Sequence, residues 1–155
     1  MKKIIFKRGF TLIELLVVVG IIAVLAAIVL SLLSDGRKRG VDAAVKQNLA
    51  NARSQAEVFY NTTGAGTYTS VCGVAGVGGV GPLVLAAAKA RGLSTYVVNS
   101  ASAPSTATCN HSSTAWAVEV PLLSDTGSFW CVDSTGISDQ KSASSFSAAD
   151  DYTCI

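Results

Sequence analysis

An almost uninterrupted apolar stretch, residues 10–33, constrains this chain more than any other feature of its sequence. Between Leu15 and Leu33 only Gly20 and Ser31 interrupt the aliphatic residues. The stretch is long enough to cross the hydrocarbon core of a bilayer, which takes about 20 helical residues. One carboxylate, that of Glu14, lies inside it, and the basic residues that precede it are Lys2, Lys3, Lys7 and Arg8.

Three interpretations of this N-terminal region compete: a cleaved secretory signal, a plain membrane anchor, and an anchor that is processed at its basic end. The apolar part of a secretory signal is about 7–15 residues long and ends at a small-residue cleavage site. Here the apolar residues continue past Ala23, Ala26 and Ala27. A plain anchor fits the length but leaves Glu14 without a role, because a carboxylate is costly in a membrane segment and indicates a function.

Around Gly9 the sequence reads Lys7-Arg8-Gly9 followed by Phe10-Thr11-Leu12-Ile13-Glu14. These residues resemble the leader junction of type IV prepilins and the related pseudopilins. The resemblance implies that a membrane peptidase, the prepilin peptidase, cuts between Gly9 and Phe10 and methylates the new amino group of Phe10. The apolar segment then stays on the mature protein.

Cleavage before Phe10 would create a free amino group that is mostly cationic at neutral pH, one helical turn from Glu14. A carboxylate in an apolar bundle is tolerated when it is paired with a cation. We therefore expect Glu14 of one copy to meet the Phe10 amine of the next. Such open, non-closing contacts produce helical filaments. The alternative is that Glu14 only faces lipid headgroups.

The charge balance gives no support for nucleic-acid binding by the mature chain. The formal net charge is +2, from 12 Lys and Arg against 10 Asp and Glu. Removing the four basic leader residues leaves 8 basic against 10 acidic side chains, a net charge of −2. A strong basic bias, which binding to phosphates favours, is therefore missing from the processed sequence.

The four cysteines all follow the apolar stretch, and an even number in a small exported domain indicates disulfides. Four cysteines allow three pairings. We favour Cys72–Cys109 and Cys131–Cys154, each of which closes a loop, and the resemblance supports the second because pilins commonly close their C-terminal loop with a disulfide. Zinc is a weak alternative, because no pair has the close spacing of zinc ligands.

From Val41 onward the pattern becomes that of an amphipathic helix, which Asn61–Gly64 should end. One stripe, spaced by four and three residues, contains Val41, Val45, Leu49, Ala52, Ala56 and Phe59. We expect this stripe to pack on a small head. The chain thus divides into a cleaved leader (1–9), a membrane or filament-core helix (10–34), an amphipathic helix half (35–61) and a disulfide-bonded globular head (62–155).

The head begins with a glycine-rich connection, residues 64–81, which contains Gly76-Val77-Gly78-Gly79-Val80-Gly81. This matches the dinucleotide-binding pattern only formally, because the preceding strand and the later acidic residue are missing. A short helix should follow from Pro82 to Gly92. Strand signals occupy 95–99, 115–120 and 128–133, and the last two should form a hairpin through Ser124–Gly127.

Within the strand predicted at 115–120, Trp116, Val118 and Val120 should lie on one face and Glu119 on the other. Trp116 and Trp130 are predicted to be core or cross-strand residues. The Ser/Thr-rich segment 100–114, which contains the single histidine His111, and the tail 137–155 are predicted to be loops.

No catalytic pattern is found, and His111 has no evident acidic partner, so we expect no enzyme activity. We likewise expect no metal, no cofactor and no small-molecule substrate. Four aspartates could form a calcium loop, as in some pseudopilins, but solvated carboxylates are the better interpretation: Asp133, Asp139, Asp150 and Asp151. Asn61 and Asn110 each begin a glycosylation acceptor pattern.

The sequence predicts an α+β fold, with a long N-terminal helix whose second half packs on a small antiparallel sheet. The resemblance implies a structural subunit of a type IV pilus, used for adhesion, motility or DNA uptake. Its partners would be copies of itself, the prepilin peptidase, the pilus assembly platform and minor pilins. The precursor would lie in the cytoplasmic membrane and the product in an extracellular filament. Alternatives are a pseudopilin of a type II secretion system, or a membrane-tethered binding module that does not polymerise.

Overall fold

A single long helix, α1 (Leu12–Asn61), leads into a small mixed α/β head in the computed structural model, which describes residues 9–73 and 78–155. The basic residues before Gly9, and Gly76 and Val77 of the glycine-rich pattern, lie outside the described residues. The chain forms two units, Met1–Arg37 and Lys38–Ile155. The elements after α1 are α2 (Gly81–Arg91), β1 (Tyr96–Val98), β2 (Ala107–His111), β3 (Trp116–Pro121), β4 (Phe129–Asp133) and β5 (Ser138–Lys141).

The second half of α1 buries the predicted stripe in the core of the head. The five positions from the second onward are fully or almost fully buried, namely Val45, Leu49, Ala52, Ala56 and Phe59. At the start of the stripe Val41 is half-buried, and the neighbouring Asp42 is buried in its place. The helix ends at Asn61 as predicted, and the chain turns at Gly64, where an added Cβ would meet the Phe59 ring and the Thr67 carbonyl.

Helix α2 also has the predicted limits. Proline lies in its first turn, where a missing N–H costs nothing, and Gly92 ends it in the left-handed conformation with φ of 92°. The N–H of Gly92 donates to the Lys89 carbonyl, so the last turn is closed by the backbone.

The sheet has five strands in the order β1-β2-β3-β4-β5. Three of its four pairs are antiparallel, as predicted, whereas β1 pairs with β2 in parallel, so that the sheet is mixed. The parallel pair arises because residues 99–106 carry the chain back to the end of the sheet at which β1 began. Asn99 starts this return with a positive φ of 47°, and its side chain accepts the His111 N–H at 2.8 Å.

Two of the five strands occupy segments that the sequence predicted to be loops. Strand β2 lies in the Ser/Thr-rich segment and includes His111, and β5 lies in the tail. Both lack the alternation of apolar and polar residues on which strand prediction depends. The β3–β4 hairpin forms through residues 122–128 as predicted, with Pro121 opposite Phe129.

The two faces of the sheet are covered by different parts of the chain. Val118 and Val120 face the helices in the main core, whereas Phe146 and Cys154 pack against Ala117 and Cys131 on the other face. The covering chain, residues 142–155, is called the C-terminal segment below. Because it lies over that face, Glu119 is on the face opposite Trp116 as predicted but is completely buried.

The aromatic residues of the hairpin differ in their surroundings. Trp116 is fully buried, while Trp130 is half-buried, with the Lys46 ammonium 4.5 Å from its ring centroid. A cation–π contact of this kind ties the polar side of α1 to the sheet. Arg53, two turns further along α1, donates to the Gly136 carbonyl at 3.1 Å.

Disulfides join Cys72 to Cys109 and Cys131 to Cys154, which is the pairing favoured in the sequence analysis. The first lies in the core on the helix side of the sheet, and the second links the C-terminal segment to β4 on the other face. They close loops of 37 and 23 residues. On the chain-entropy model each stabilises the fold by about 3–4 kcal/mol.

Candidate processing and assembly site

The predicted cleavage point lies just outside α1. The helix begins at Leu12, so Gly9 and Phe10 precede it, and both are exposed. The Phe10 side chain is 88% exposed, and no atom of the described residues other than the chain neighbours of Gly9 lies within 4 Å of the position that a Cβ on Gly9 would occupy. The peptide bond between Gly9 and Phe10 is therefore accessible, as a protease requires.

Thr11 and Glu14 cap the start of α1 reciprocally. The Thr11 N–H and hydroxyl both donate to Glu14 Oε2 at 2.9 Å, and the Glu14 N–H donates to Thr11 Oγ1 at 3.3 Å. This is a capping box, in which two of the free N–H groups at a helix start are satisfied by side chains. It holds the Glu14 carboxylate against the backbone N–H of Thr11, the residue that follows Phe10 in the chain.

The sequence analysis gave Glu14 a role but overlooked Thr11. The signal was present, because threonine followed three residues later by glutamate is the sequence signature of a capping box. In the structure Thr11 and Glu14 are in contact at the start of α1, and the exposed Phe10 immediately precedes them. The assembly contact between Glu14 of one copy and Phe10 of the next stays a prediction.

The apolar side chains that follow Glu14 are exposed all around the helix. Their exposed fractions run from 49% at Val18 to 69% at Leu16 and Leu32. By length and composition α1 could cross a membrane, and none of its most apolar window is buried. An exposed apolar surface of this size is stable only when lipid or other protein covers it.

The prediction that the four candidate aspartates are solvated is wrong for Asp133. It is fully buried at the end of β4, and its Oδ1 accepts the N–H groups of Thr135, Gly136 and Ile137 at 2.9–3.1 Å. Its Oδ2 accepts the Cys154 N–H at 2.8 Å. Both oxygens thus fix the β4–β5 turn and the C-terminal segment. Within residues 9–73 and 78–155, no three His, Cys, Asp or Glu side chains are grouped so as to hold a metal ion.

The two glycosylation patterns differ in access. Asn61 is exposed at the end of α1. Asn110 is fully buried, and its amide nitrogen donates to the carbonyls of Ser100 and Asp151, both at 3.2 Å. A glycan cannot be attached to Asn110 in the folded head, because its side-chain nitrogen is enclosed and engaged.

His111 is half-buried rather than free in a loop. Its Nδ1 accepts the Ser70 N–H at 3.2 Å, which requires that nitrogen to be unprotonated. Burial lowers the pKa of His111 below its ordinary value. The histidine thus joins β2 to the loop before Cys72, and no carboxylate among its hydrogen-bond partners in the described part of the chain prepares it for catalysis.

Comparison with family models gives one match: residues 6–30 fit the model described as the prokaryotic N-terminal methylation motif. The matched residues include Gly9, Phe10, Thr11 and Glu14. No curated protein and no solved structure gives a significant match. The motif, the apolar helix and the α+β head together fit a prepilin-like protein of the type IV pilin and pseudopilin class, whose precursor is inserted in a membrane.

Proposed function

We propose that this prepilin-like chain is a structural subunit of a type IV pilus, which polymerises through its N-terminal apolar helix into an extracellular filament. The prepilin peptidase removes the leader at Gly9–Phe10 and methylates Phe10. The filament then serves adhesion, motility or DNA uptake. The observation that carries the proposal is the exposed apolar helix whose start holds a carboxylate beside an accessible cleavage point.

Assembly follows from the physical chemistry of that helix. Apolar surface leaves contact with lipid or water and packs against other copies, and burial from water contributes about 25 cal/mol per Å². The Glu14 carboxylate enters this apolar surround with the cationic Phe10 amine of a neighbouring copy as its partner. An unpaired charge in such a place is strongly unfavourable, so the pair fixes the stagger between copies.

The head supports a structural rather than a catalytic role. Two disulfides suit a domain that works outside the cytoplasm. Three of the buried polar side chains, those of Asp42, Asn110 and Asp133, bond to backbone groups of the head itself. The partners in this proposal are other copies of the chain, the prepilin peptidase, the assembly platform, minor pilins and, before assembly, the cytoplasmic membrane.

A pseudopilin of a type II secretion system is the second candidate, because the matched motif belongs to both classes. Mass spectrometry of the native N-terminus, combined with electron microscopy of the cell surface, tests both. A first residue of methylated Phe10 in long surface filaments supports the pilin proposal. The same processed N-terminus without surface filaments, together with a defect in protein secretion when the gene is deleted, supports the pseudopilin. An N-terminus at Met1 or beyond Leu33 contradicts both.

A further inference from the structure

A buried carboxyl group lies between the sheet and the C-terminal segment. Glu119 is central in β3, opposite Thr108 of β2 on one side and Cys131 of β4 on the other. Its side chain is completely buried on the face that the C-terminal segment covers. The residue takes no part in the processing site, which is in the other unit of the chain.

In the described parts of the chain, the Glu119 carboxyl group forms a hydrogen bond but no ion pair. Oε2 accepts the Ser145 N–H at 2.7 Å, while Oε1 is buried and has no hydrogen-bond partner in the described parts of the chain. The one ion pair within those parts, Lys141 with Asp139, lies on the exposed edge strand. A negative charge on Glu119 is therefore balanced by hydrogen bonds alone.

Protonation of Glu119 changes the number of hydrogen bonds that its buried carboxyl group can form. Burial raises the pKa of Glu119, and the opposing effects of the Ser144 and Ser102 hydroxyls and of the Ser145 N–H are smaller. Of these three groups only the Ser145 N–H forms a hydrogen bond with the carboxyl group, while the Ser102 hydroxyl is buried without a partner among the described residues. With a proton on Oε1, the group can donate to a serine hydroxyl while Oε2 still accepts from Ser145. Without that proton, a full charge stays enclosed beneath the segment, which is unfavourable in a low-dielectric site.

Three other anchors of the C-terminal segment carry no charge. Asn110 donates to the Asp151 carbonyl, the Ser102 N–H donates to the Phe146 carbonyl at 2.9 Å, and Cys154 is held by its disulfide. Hydrogen bonds from the Ala148 N–H and from Ser147 lower the pKa of Asp151. The remaining titratable or charged groups on this side of the sheet, or on the segment itself, are Asp133, Asp139, Lys141, Asp150 and Tyr152.

We propose that Glu119 is a pH-sensitive latch for the C-terminal segment: with its proton the segment closes tightly at Ser145 and Phe146, and loss of the proton loosens that contact. The folded state binds this proton more tightly than the unfolded chain does. The stabilisation is thus complete below the ordinary pKa of a glutamate, and it is lost as pH rises through the higher value of the folded state. Because its pKa is lowered, Asp151 changes its protonation state at a more acidic pH than Glu119 does.

The test measures the amide hydrogen exchange rates of Ser145 and Phe146 as a function of pH, on the full-length chain in detergent micelles. The rates are corrected for the pH dependence of intrinsic exchange, which gives a protection factor for each amide. Wild type is compared with Glu119→Gln, which stays neutral, and with Asp139→Asn, which removes an exposed carboxylate from the same row of the sheet. We expect the protection of wild type to fall as pH rises, about tenfold for each unit by which the folded pKa exceeds the unfolded one. Glu119→Gln should show no such fall, and Asp139→Asn should follow wild type.

A fall in protection of equal size in wild type and Glu119→Gln would overturn the proposal, as would protection in wild type that does not change with pH. If Glu119→Gln does not fold, the proposal is tested by the pH titration of the ¹³C resonance of the Glu119 carboxyl group in wild type. A titration midpoint above about 4.3, the value for unperturbed glutamate, supports the latch, and a midpoint at or below that value refutes it.

Discussion

The Asp42 carboxylate on α1 accepts the Leu123 N–H at 2.7 Å and the Ser124 N–H at 3.0 Å, and the Ser124 hydroxyl donates to it as well. This contact joins the long helix to the loop between β3 and β4. Burial raises the pKa of Asp42, but the bonds from Ser124 and Leu123 outweigh that effect and lower it overall.

We predict that Asp42→Ala lowers the free energy of unfolding of the head by about 1–3 kcal/mol, because the N–H groups of Leu123 and Ser124 lose their shared acceptor at a partly buried contact. Asp42→Asn keeps one oxygen and should cost less. The wild type should also lose stability as pH falls below about 3.8, the ordinary aspartate value, whereas Asp42→Asn should lack this component. Chemical denaturation measured across pH tests both statements. Asp35→Ala, at an exposed position of the same helix, is the control and should change stability by less than about 0.5 kcal/mol.

Substitutions of Glu14 can separate the helix cap from the charge. Glutamine also completes a capping box, so Glu14→Gln keeps the Thr11 contact and removes only the negative charge. Glu14→Ala removes both. We predict that both variants are exported and folded but assemble poorly, because the Phe10 amine lacks its partner. Filament yield in the sheared surface fraction measures this, with head folding checked by disulfide formation. Filaments at wild-type yield in Glu14→Gln would refute charge pairing as the basis of assembly.

Asp133→Ala should destabilise the head by about 3 kcal/mol, because the buried N–H of Cys154 and three partly buried N–H groups of the β4–β5 turn lose their acceptor. Thermal unfolding of the folded chain in micelles measures the loss. Asp150→Ala is the matched control, since Asp150 is exposed in the C-terminal segment. A loss of the same size in both variants would contradict the role assigned to Asp133.

Protonation of His111 should weaken the contact between β2 and the loop at Ser70. The unfolded chain takes up this proton near pH 6.5, whereas the folded chain takes it up only at lower pH. The stabilisation from neutral His111 is therefore complete above pH 6.5 and is lost as pH falls through the lower value of the folded state. We expect the Ser70 amide resonance to shift with the His111 titration in NMR spectra. A Ser70 resonance that does not respond to that titration would argue against the contact.

Loss of the two disulfides should have different local effects. Cys131→Ser with Cys154→Ser should release the end of the C-terminal segment, so that a protease cleaves within 142–155 while the main core stays folded. Cys72→Ser with Cys109→Ser removes a cross-link inside that core and should lower global stability by about 3–4 kcal/mol. Limited proteolysis with mass spectrometry distinguishes the two patterns. Identical fragments from both double variants would contradict this division.

The parts of the fold that the sequence predicts are those with regular apolar spacing. The stripe from Val45 to Phe59, the limits of α2 and the β3–β4 hairpin all follow from periodicity and from turn residues. Strands β2 and β5 escape such prediction because Thr108, Asn110 and the residues of β5 are polar. Their pairing depends on neighbouring strands that are distant in sequence.

The structural roles of the buried polar residues in the head cannot be predicted from the sequence either. Asp42 and Asp133 resemble ordinary surface carboxylates until the fold brings backbone N–H groups to them. Glu119 matches the alternation of a half-exposed strand, and only the position of residues 142–155 makes it a buried group. At the N-terminus the reverse holds, since Gly9, Phe10, Thr11 and Glu14 act through adjacent positions and can be recognised without a structure.

Apart from Phe146 and the Cys131–Cys154 disulfide, the sheet holds the C-terminal segment by its main chain. Asn110, Glu119 and Asp133 contact carbonyl and N–H groups there, while Ser142, Ala143, Ala149 and Asp150 point outward and are exposed. Attachment is therefore largely indifferent to which side chains occupy those outward positions. The head can accept new surface chemistry at its C-terminal end, by natural drift or by grafting of an epitope, while its internal scaffold is kept.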